Sequence, residues 1–476
     1  MEDIYKNPLI TRYASKEMAS IFSDDEKFKT WRKLWVALAK SEKELGLDIS
    51  DEQIKEMEEN IDNINYDDAK RFEKEFRHDV MAHIHAYGIL CPKAKPIIHL
   101  GATSAFVDDN TDLILMDKAF KIVQKKILKL IDLLSNFAIE YKDIPTLSFT
   151  HFQPAQLTTV GKRTCLWIQD LILDLKDLKF RLDNITLRGV KGTTGTQASF
   201  MELFNGNEEK VKLLDKLVVE KMGYKNSFDV TGQTYTRKYD FMLLSVLSGI
   251  AQSAHKFSND LRLLQHLREI EEPFEQNQIG SSAMAYKRNP MRSERIASLS
   301  RYVIVTLLNT SITSSAQWFE RTLDDSANRR IVIPEMFLAV DAILNLYINI
   351  VSGLNVNRKI IKKHILEEIP FMATESILME SVLKGGDRQE LHELIRKYSI
   401  KAANDVKDGK ENKLLYYISE DKEFKLSKEE LNNLIDPLKF TGRAVSQTLE
   451  YINNVVKPLL KEFNYKEEDL EIKIEV

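Results

Sequence analysis

Within residues 118–141, Phe120, Val123, Ile127, Leu130, Leu134, Phe137 and Tyr141 recur at steps of three and four. That spacing places them on one face of an α-helix. Leu171, Leu175, Leu178 and Leu182 repeat the pattern. Residues 241–268 show it again through Leu244, Leu247, Ile250, Ala254, Phe257, Leu261 and Leu264. Few runs alternate with period two, so no large sheet is expected. Long stripes rich in Leu and Ile predict helices packed into a bundle, within the chain or between chains. The stripe residues are therefore assigned to core. The more charged segments 50–60 and 207–221 are predicted as solvated surface helices, and the tail from Lys461 as peripheral.

Helix breakers are scarce, with 17 glycines and 11 prolines, and no proline between Ala155 and Glu272. That favours long uninterrupted helices and an all-α fold. A length of 476 residues predicts two or three domains. Pro92, Pro96 and Gly101 interrupt the chain before the first long stripe. Gly353 and the basic run Lys359 to His364 follow the last central helix. These breaks predict an N-terminal helical domain over 1–103, a central helical bundle over 104–356 and a C-terminal helical domain over 357–476.

Composition narrows the partners. Hydrophobic residues make up 43% and charged residues 29%, as in a soluble globular chain. The net charge of −4 provides no global field for nucleic acid, so an anion site must be built locally. No run approaches the ~18 apolar residues of a membrane span, and Met1-Glu2-Asp3 does not open a signal region. Neither nucleic acid nor membrane is an expected partner. Two cysteines, Cys91 and Cys165, give no disulfide framework, which points to a reducing compartment and a cytoplasmic location.

Residues Gly280 to Pro290 read Gly-Ser-Ser-Ala-Met-Ala-Tyr-Lys-Arg-Asn-Pro. Pro273 and Gly280 interrupt any helical pattern, predicting a mobile loop, and Pro290 suits the start of a new helix. Ser281 would serve as a base if Lys287 and backbone N–H groups favoured its charged oxygen. A polar surface loop is the alternative. Arg12-Tyr13 could hold phosphate oxygens or lie idle at the surface. Arg77-His78-Asp79 opens a stretch with His83 and His85, but no further ligands accompany them and no metal site is expected. Thr103 and Ser104 could cap a helix, offer donors to a carboxylate, or both. Thr150-His151 precedes Pro154 at what reads as the start of the second long helix; histidine there could give a proton or be structural. Lys191 to Gln197 lacks the ending of a nucleotide phosphate loop and is predicted as a turn or part of a polar pocket. Arg321 and Asp325 would pair on a continuous helix. If the chain turns near Asp324 instead, Arg321, Ser326 and Arg330 could converge on a phosphate.

The loop at 280–290 resembles the signature loop of the fumarase/aspartase superfamily, with Ala285 where proline is usual. Its ending, with Arg12-Tyr13, Arg77-His78-Asp79, Thr150-His151 and the string around Arg321, resembles the adenylosuccinate lyase branch in particular. The resemblance covers essentially the whole chain, through Phe440-Thr441-Gly442-Arg443. It implies a three-domain fold with a central bundle of long helices. It also implies β-elimination of fumarate from adenylosuccinate, giving AMP, and from succinyl-aminoimidazole-carboxamide ribotide (SAICAR), giving its carboxamide (AICAR).

The implied roles are Ser281 as general base, His151 as general acid, and His78 as an orienting or polarising group. Lys287 and Asn289, helped by Thr103 and Ser104, would face the carboxylate that gains charge. Arg12, Tyr13, Arg321, Ser326 and Arg330 would hold phosphate. Arg295 and Gln233 would lie nearer the ribose and succinyl parts, with Arg77, Asp79 and Thr150 also contacting substrate. The resemblance further implies a homotetramer whose active sites draw on several subunits, and no metal or organic cofactor. Another lyase of the superfamily, such as one acting on argininosuccinate, and a catalytically silent helical scaffold are the competing expectations.

Overall fold

The glycine- and proline-poor stretches fold as helices in the computed structural model, which describes residues 3–275, 278–284 and 286–466. The chain begins with α1 (Lys16–Ile21), α2 (Asp24–Glu44), α3 (Asp51–Glu59), α4 (Tyr66–Phe76) and α5 (Asp79–Leu90). The first long stripe is α6 (Ser104–Glu140). A hairpin of β1 (Pro145–Thr150) and β2 (Gln153–Thr159) then leads into α7 (Val160–Asp183), the second stripe. Next come β3 (Thr186–Leu187), α8 (Ala198–Leu203), α9 (Glu208–Lys221) and β4 (Asn226–Ser227). The third stripe is α10 (Lys238–His266), followed by β5 (Ile270–Glu271), α11 (Met291–Ala316), α12 (Asp325–Val351) and β6 (Asn355–Val356). The last part holds α13 (Arg358–Met372), α14 (Thr374–Leu383), α15 (Arg388–Lys407), α16 (Leu414–Glu420), α17 (Lys428–Leu434), α18 (Ala444–Tyr451) and α19 (Lys457–Glu462).

The helix starts follow local chemistry. Ser23, Ser50, Thr159 and Asn207 each accept an N–H from the first turn of α2, α3, α7 and α9, filling donors the helix leaves unpaired. Helices α6, α7, α10, α11 and α12 pack together as a bundle. Their stripes meet in its core, where Phe120 lies edge-on to Phe337 at 4.8 Å and Phe257 stacks on Tyr347 at 3.9 Å. Each fully buried Leu, Ile or Phe there contributes roughly 1.5–3 kcal/mol by leaving water. A smaller separate core gathers Ile377, Leu391, Ile395, Leu414 and Phe424 from the later helices, while Ile452, Val456 and Leu459 return to the main core.

Three details depart from the pattern reading. The segment before α7 is a hairpin, not a helix start: Thr146 pairs with Thr158 and Thr150 with Gln153. Segment 207–221 is not solvated all round, because α9 buries Val211, Leu214 and Val218. Helix α12 carries an 18-residue window of mean hydropathy 1.8, long and apolar enough for a membrane, but 78% of it is buried inside the protein. All strand pairs among the described residues are two-stranded, so helices dominate the architecture.

Candidate active site

The loop between α10 and α11 is held at its base by side chains. The Glu272 carboxylate accepts the N–H groups of Arg292 at 3.1 Å and Ser293 at 3.0 Å, and the Ser293 hydroxyl at 2.9 Å. It thereby fills the first-turn donors of α11. Gln265 of α10 donates Nε2 to the Arg288 carbonyl at 3.0 Å, and Asn289 donates Nδ2 to the Gly280 carbonyl at 2.7 Å. A Cβ at Gly280 would sit 2.1 Å from the Lys287 carbonyl oxygen, so this crossing needs glycine. Within the loop, Ser281 Oγ accepts the N–H of Met284 at 3.1 Å and of Ala283 at 3.4 Å. Two fixed donors on one hydroxyl favour its charged form. Lys287 and Asn289 line an open cleft of about 730 Å³ with Arg262 and His266. The Asn289 amide, expected to face a substrate carboxylate, here binds the loop's own backbone. Ala285 lies outside the described residues.

His151 and Phe152 form the two-residue turn of the β1–β2 hairpin, with φ of 52° and 62°. Positive φ at both positions matches the twist a tight hairpin needs, although neither residue is glycine. His151 and Thr150 are exposed, and Phe152 is 75% exposed. Among the described residues no hydrogen bond joins His151 to Ser281.

The Arg77-His78-Asp79 string straddles two helices. Arg77 ends α4 in the left-handed conformation, and His78 caps α5, its Nδ1 accepting the Met81 N–H at 3.3 Å. That acceptor role puts the proton of the neutral ring on Nε2. Asp79 Oδ2 accepts Arg330 Nη2 at 2.8 Å. Burial raises the Asp79 carboxyl, but the Val80 N–H and Arg330 outweigh it and hold the carboxyl below its usual range. His83 instead stacks on Phe28 at 3.8 Å in the core, where burial lowers it to about 4. His85 packs on Phe76. Among the described residues no group of three or more His, Cys, Asp or Glu is arranged to hold a metal ion.

The remaining expected binding residues fall into small groups. The Arg295 guanidinium stands 5.5 Å from the Tyr13 ring centre, and Arg12 is exposed beside Tyr13. Thr103 occupies the cap position of α6, but its hydroxyl makes no capping bond, and Ser104 opens the helix. The chain does turn between α11 and α12, so Arg321 and Asp325 do not pair. Asp325 instead accepts Arg237 Nε at 2.6 Å. Arg321 donates Nη1 to Gln233 Oε1 at 2.9 Å, and its Nε is buried with no acceptor among the described residues. Ser326 lies in the first turn of α12. Arg330 turns to Asp79, so Arg321, Ser326 and Arg330 are not joined to one another in this state.

Pattern reading missed the buried network beneath these groups. Arg237 also donates Nη2 to Asp109 at 3.0 Å, and Asp109 accepts the Tyr235 N–H at 3.0 Å. Arg329 reaches Asp240 at 2.7 Å and the Tyr235 hydroxyl at 2.6 Å. Arg188, wholly buried, donates to the carbonyls of Gln233, Gly189 and Gly192, and burial lowers it to about 10. Removing one member of such a buried set strands the other charges. Asp109, next to Asn110 and five residues after Ser104, carried a faint signal; Arg188 and Arg237 carried none. In the turn at 189–197, Lys191 pairs with buried Asp215 at 2.7 Å, and a Cβ at Gly195 would lie 1.9 Å from the Thr231 carbonyl oxygen.

The loop carrying Ser281 and Lys287 thus opens directly onto the bundle helix α11. Residues 11–305 match the lyase family, and residues 370–450 match the adenylosuccinate lyase C-terminus. The chain is 51% identical over 478 residues to adenylosuccinate lyase of Saccharomyces cerevisiae, spanning 100% of this chain and 99% of that one. It is 50% identical to adenylosuccinate lyase of Schizosaccharomyces pombe over 97% of each chain. The chain belongs to the adenylosuccinate lyase family and is a lyase. In fold it is similar to 3-carboxy-cis,cis-muconate lactonizing enzyme from Pseudomonas putida, with a TM-score of 0.82 at 21% identity over 96% of this chain and 100% of that one.

Proposed function

We propose that the protein releases fumarate from adenylosuccinate, leaving AMP, and from SAICAR, leaving AICAR, in purine nucleotide biosynthesis. The observation that carries this reading is the 51% identity over the full chain to a protein of that activity's name. The chemistry starts at a weakly acidic C–H beside a carboxylate. Ser281 takes that proton, and the Met284 and Ala283 N–H groups on its oxygen support the role. Negative charge then builds on the carboxylate, where Lys287, Thr103 and Ser104 supply fixed positive charge and donors. Asn289 joins them once its amide leaves the Gly280 carbonyl. His151 gives a proton to the leaving nitrogen, typically worth ~10²–10⁴-fold. His78, with Arg77, Asp79 and Thr150 beside it, orients the substrate. Arg12, Tyr13, Arg321, Ser326 and Arg330 hold the phosphate; Arg295 and Gln233 face the ribose and succinyl parts. The elimination uses these side chains alone, without metal or organic cofactor.

In this reading the site is completed between subunits of a homotetramer. The exposed hairpin tip at His151 supports it. So do Val305, Leu308 and Ile312 of α11, which are 62%, 58% and 65% exposed on one face of a bundle helix. The domain division 1–103, 104–356 and 357–476 belongs to the same proposal.

Incubation with adenylosuccinate while fumarate is followed by ultraviolet absorbance tests the function. Steady release is expected, and its absence from folded protein ends the reading. Ser281→Ala and His151→Ala should each lower turnover by at least ~10²-fold. Near-normal turnover in either removes that residue from its role.

A further inference from the structure

Glu269 lies between the two reactive elements of the chain and is 1% exposed. It follows Arg268, whose φ of 60° ends the run of α10, and it precedes β5, which feeds the Ser281 loop. Its backbone is fixed on both sides. The N–H reaches the Leu264 carbonyl at 3.0 Å, and its carbonyl accepts the Asn357 N–H at 2.8 Å. Its carboxylate is shared between distant segments. Oε1 lies 2.8 Å from His364 Nδ1 on α13, and Oε2 accepts the Thr146 hydroxyl at 3.4 Å. Thr146 is wholly buried at the base of the hairpin that carries His151. Arg163 of α7 also faces Glu269 electrostatically and donates Nη2 to the carbonyl of Leu147, the next hairpin residue. A buried carboxylate is tolerated only with such partners, so its position and theirs are mutually set.

We propose that Glu269 is a positioning residue for turnover. Its carboxylate holds the base of the His151 hairpin through Thr146, while its backbone holds the strand leading to the Ser281 loop. This rests on the reading of His151 as proton donor. The hairpin acts as a lever. Thr146 and His151 are five residues apart, about 16 Å along an extended strand. A tilt of about 4° at the base moves the tip by roughly 1 Å, and a shift of that size costs about 10²-fold in rate.

The test uses the full-length protein with Glu269→Gln, Thr146→Val and Thr146→Ser. Glu269→Gln and Thr146→Val should lower kcat about 10- to 100-fold with KM within about threefold, whereas Thr146→Ser, which keeps the hydroxyl, should restore kcat to within about threefold. Amide hydrogen exchange over residues 147–158 should quicken in Thr146→Val and not in Thr146→Ser. In a His151→Ala background, Thr146→Val should cost no further turnover. Equal kcat for the valine and serine variants, or unchanged hairpin exchange in Thr146→Val, overturns the proposal. Should His151→Ala keep normal turnover, the proton-donor reading is what fails. Hairpin exchange then decides separately whether Glu269 holds the hairpin.

Discussion

Arg330 donates Nη2 to Asp79 Oδ2 at 2.8 Å, joining the second turn of α12 to the first residue of α5 across 251 positions of chain. Both were expected to contact substrate, and each gives the other a defined orientation. Arg330 remains largely exposed and has further donors to offer an anion. Arg330→Ala should raise KM for adenylosuccinate about tenfold, the scale of one lost charge-assisted contact, with a smaller change in kcat. Steady-state kinetics check this, and an unchanged KM would remove Arg330 from the phosphate site.

Arg321 presents a second, geometrically stricter case. One nitrogen is committed to Gln233, while Nε is buried without an acceptor among the described residues. A planar fork with one vacant donor suits a phosphate oxygen, and lysine cannot reproduce it. Arg321→Lys should weaken AMP inhibition by about tenfold or more while leaving the thermal midpoint nearly unchanged. Equal inhibition by AMP in both proteins would contradict the assignment.

Glu42 of α2 is wholly buried and, among the described residues, neither carboxyl oxygen has a hydrogen-bond partner. Burial pushes it up to about 9, so the folded protein holds this group protonated at neutral pH. A folded pKa raised above the unfolded value favours folding fully below about 4.5. That contribution is lost as pH climbs toward about 9. By pH 7 the penalty is about 3–4 kcal/mol. Glu42→Met, similar in length and without ionisable atoms, should raise the thermal midpoint by a few degrees at pH 7.5, with the gain shrinking toward pH 5. A variant less stable than the parent at pH 7.5 would show that Glu42 has a stabilising partner.

The helical stripes were legible because Leu130, Leu134 and Phe137, or Leu244, Leu247 and Ile250, report their burial through spacing alone. Ser281 and Lys287 were legible as a linear string. The hairpin at His151 was not, since its turn uses positive φ at His151 and Phe152 without the Asn-Gly or Gly signals of such turns. Nor were pairings set by the tertiary fold: Asp325 with Arg237 rather than Arg321, Arg330 with Asp79, and Glu269 with both Thr146 and His364. Charge partners far apart in the chain leave no periodic trace. Asn289, expected beside a substrate carboxylate, donates to the Gly280 carbonyl in this structure, a contact no linear string announces.

Among the described residues the exposed hairpin and the Ser281 loop share no hydrogen bond, and the proposed chemistry has them meet across subunits. Mixing Ser281→Ala and His151→Ala proteins, dissociating them together and reassembling mixed oligomers tests this most directly. Sites that draw an intact loop from one chain and an intact hairpin from another should regain a substantial fraction of fumarate release. If mixed oligomers form, as tagged chains would show, and activity stays at the level of the separate variants, the shared site is wrong.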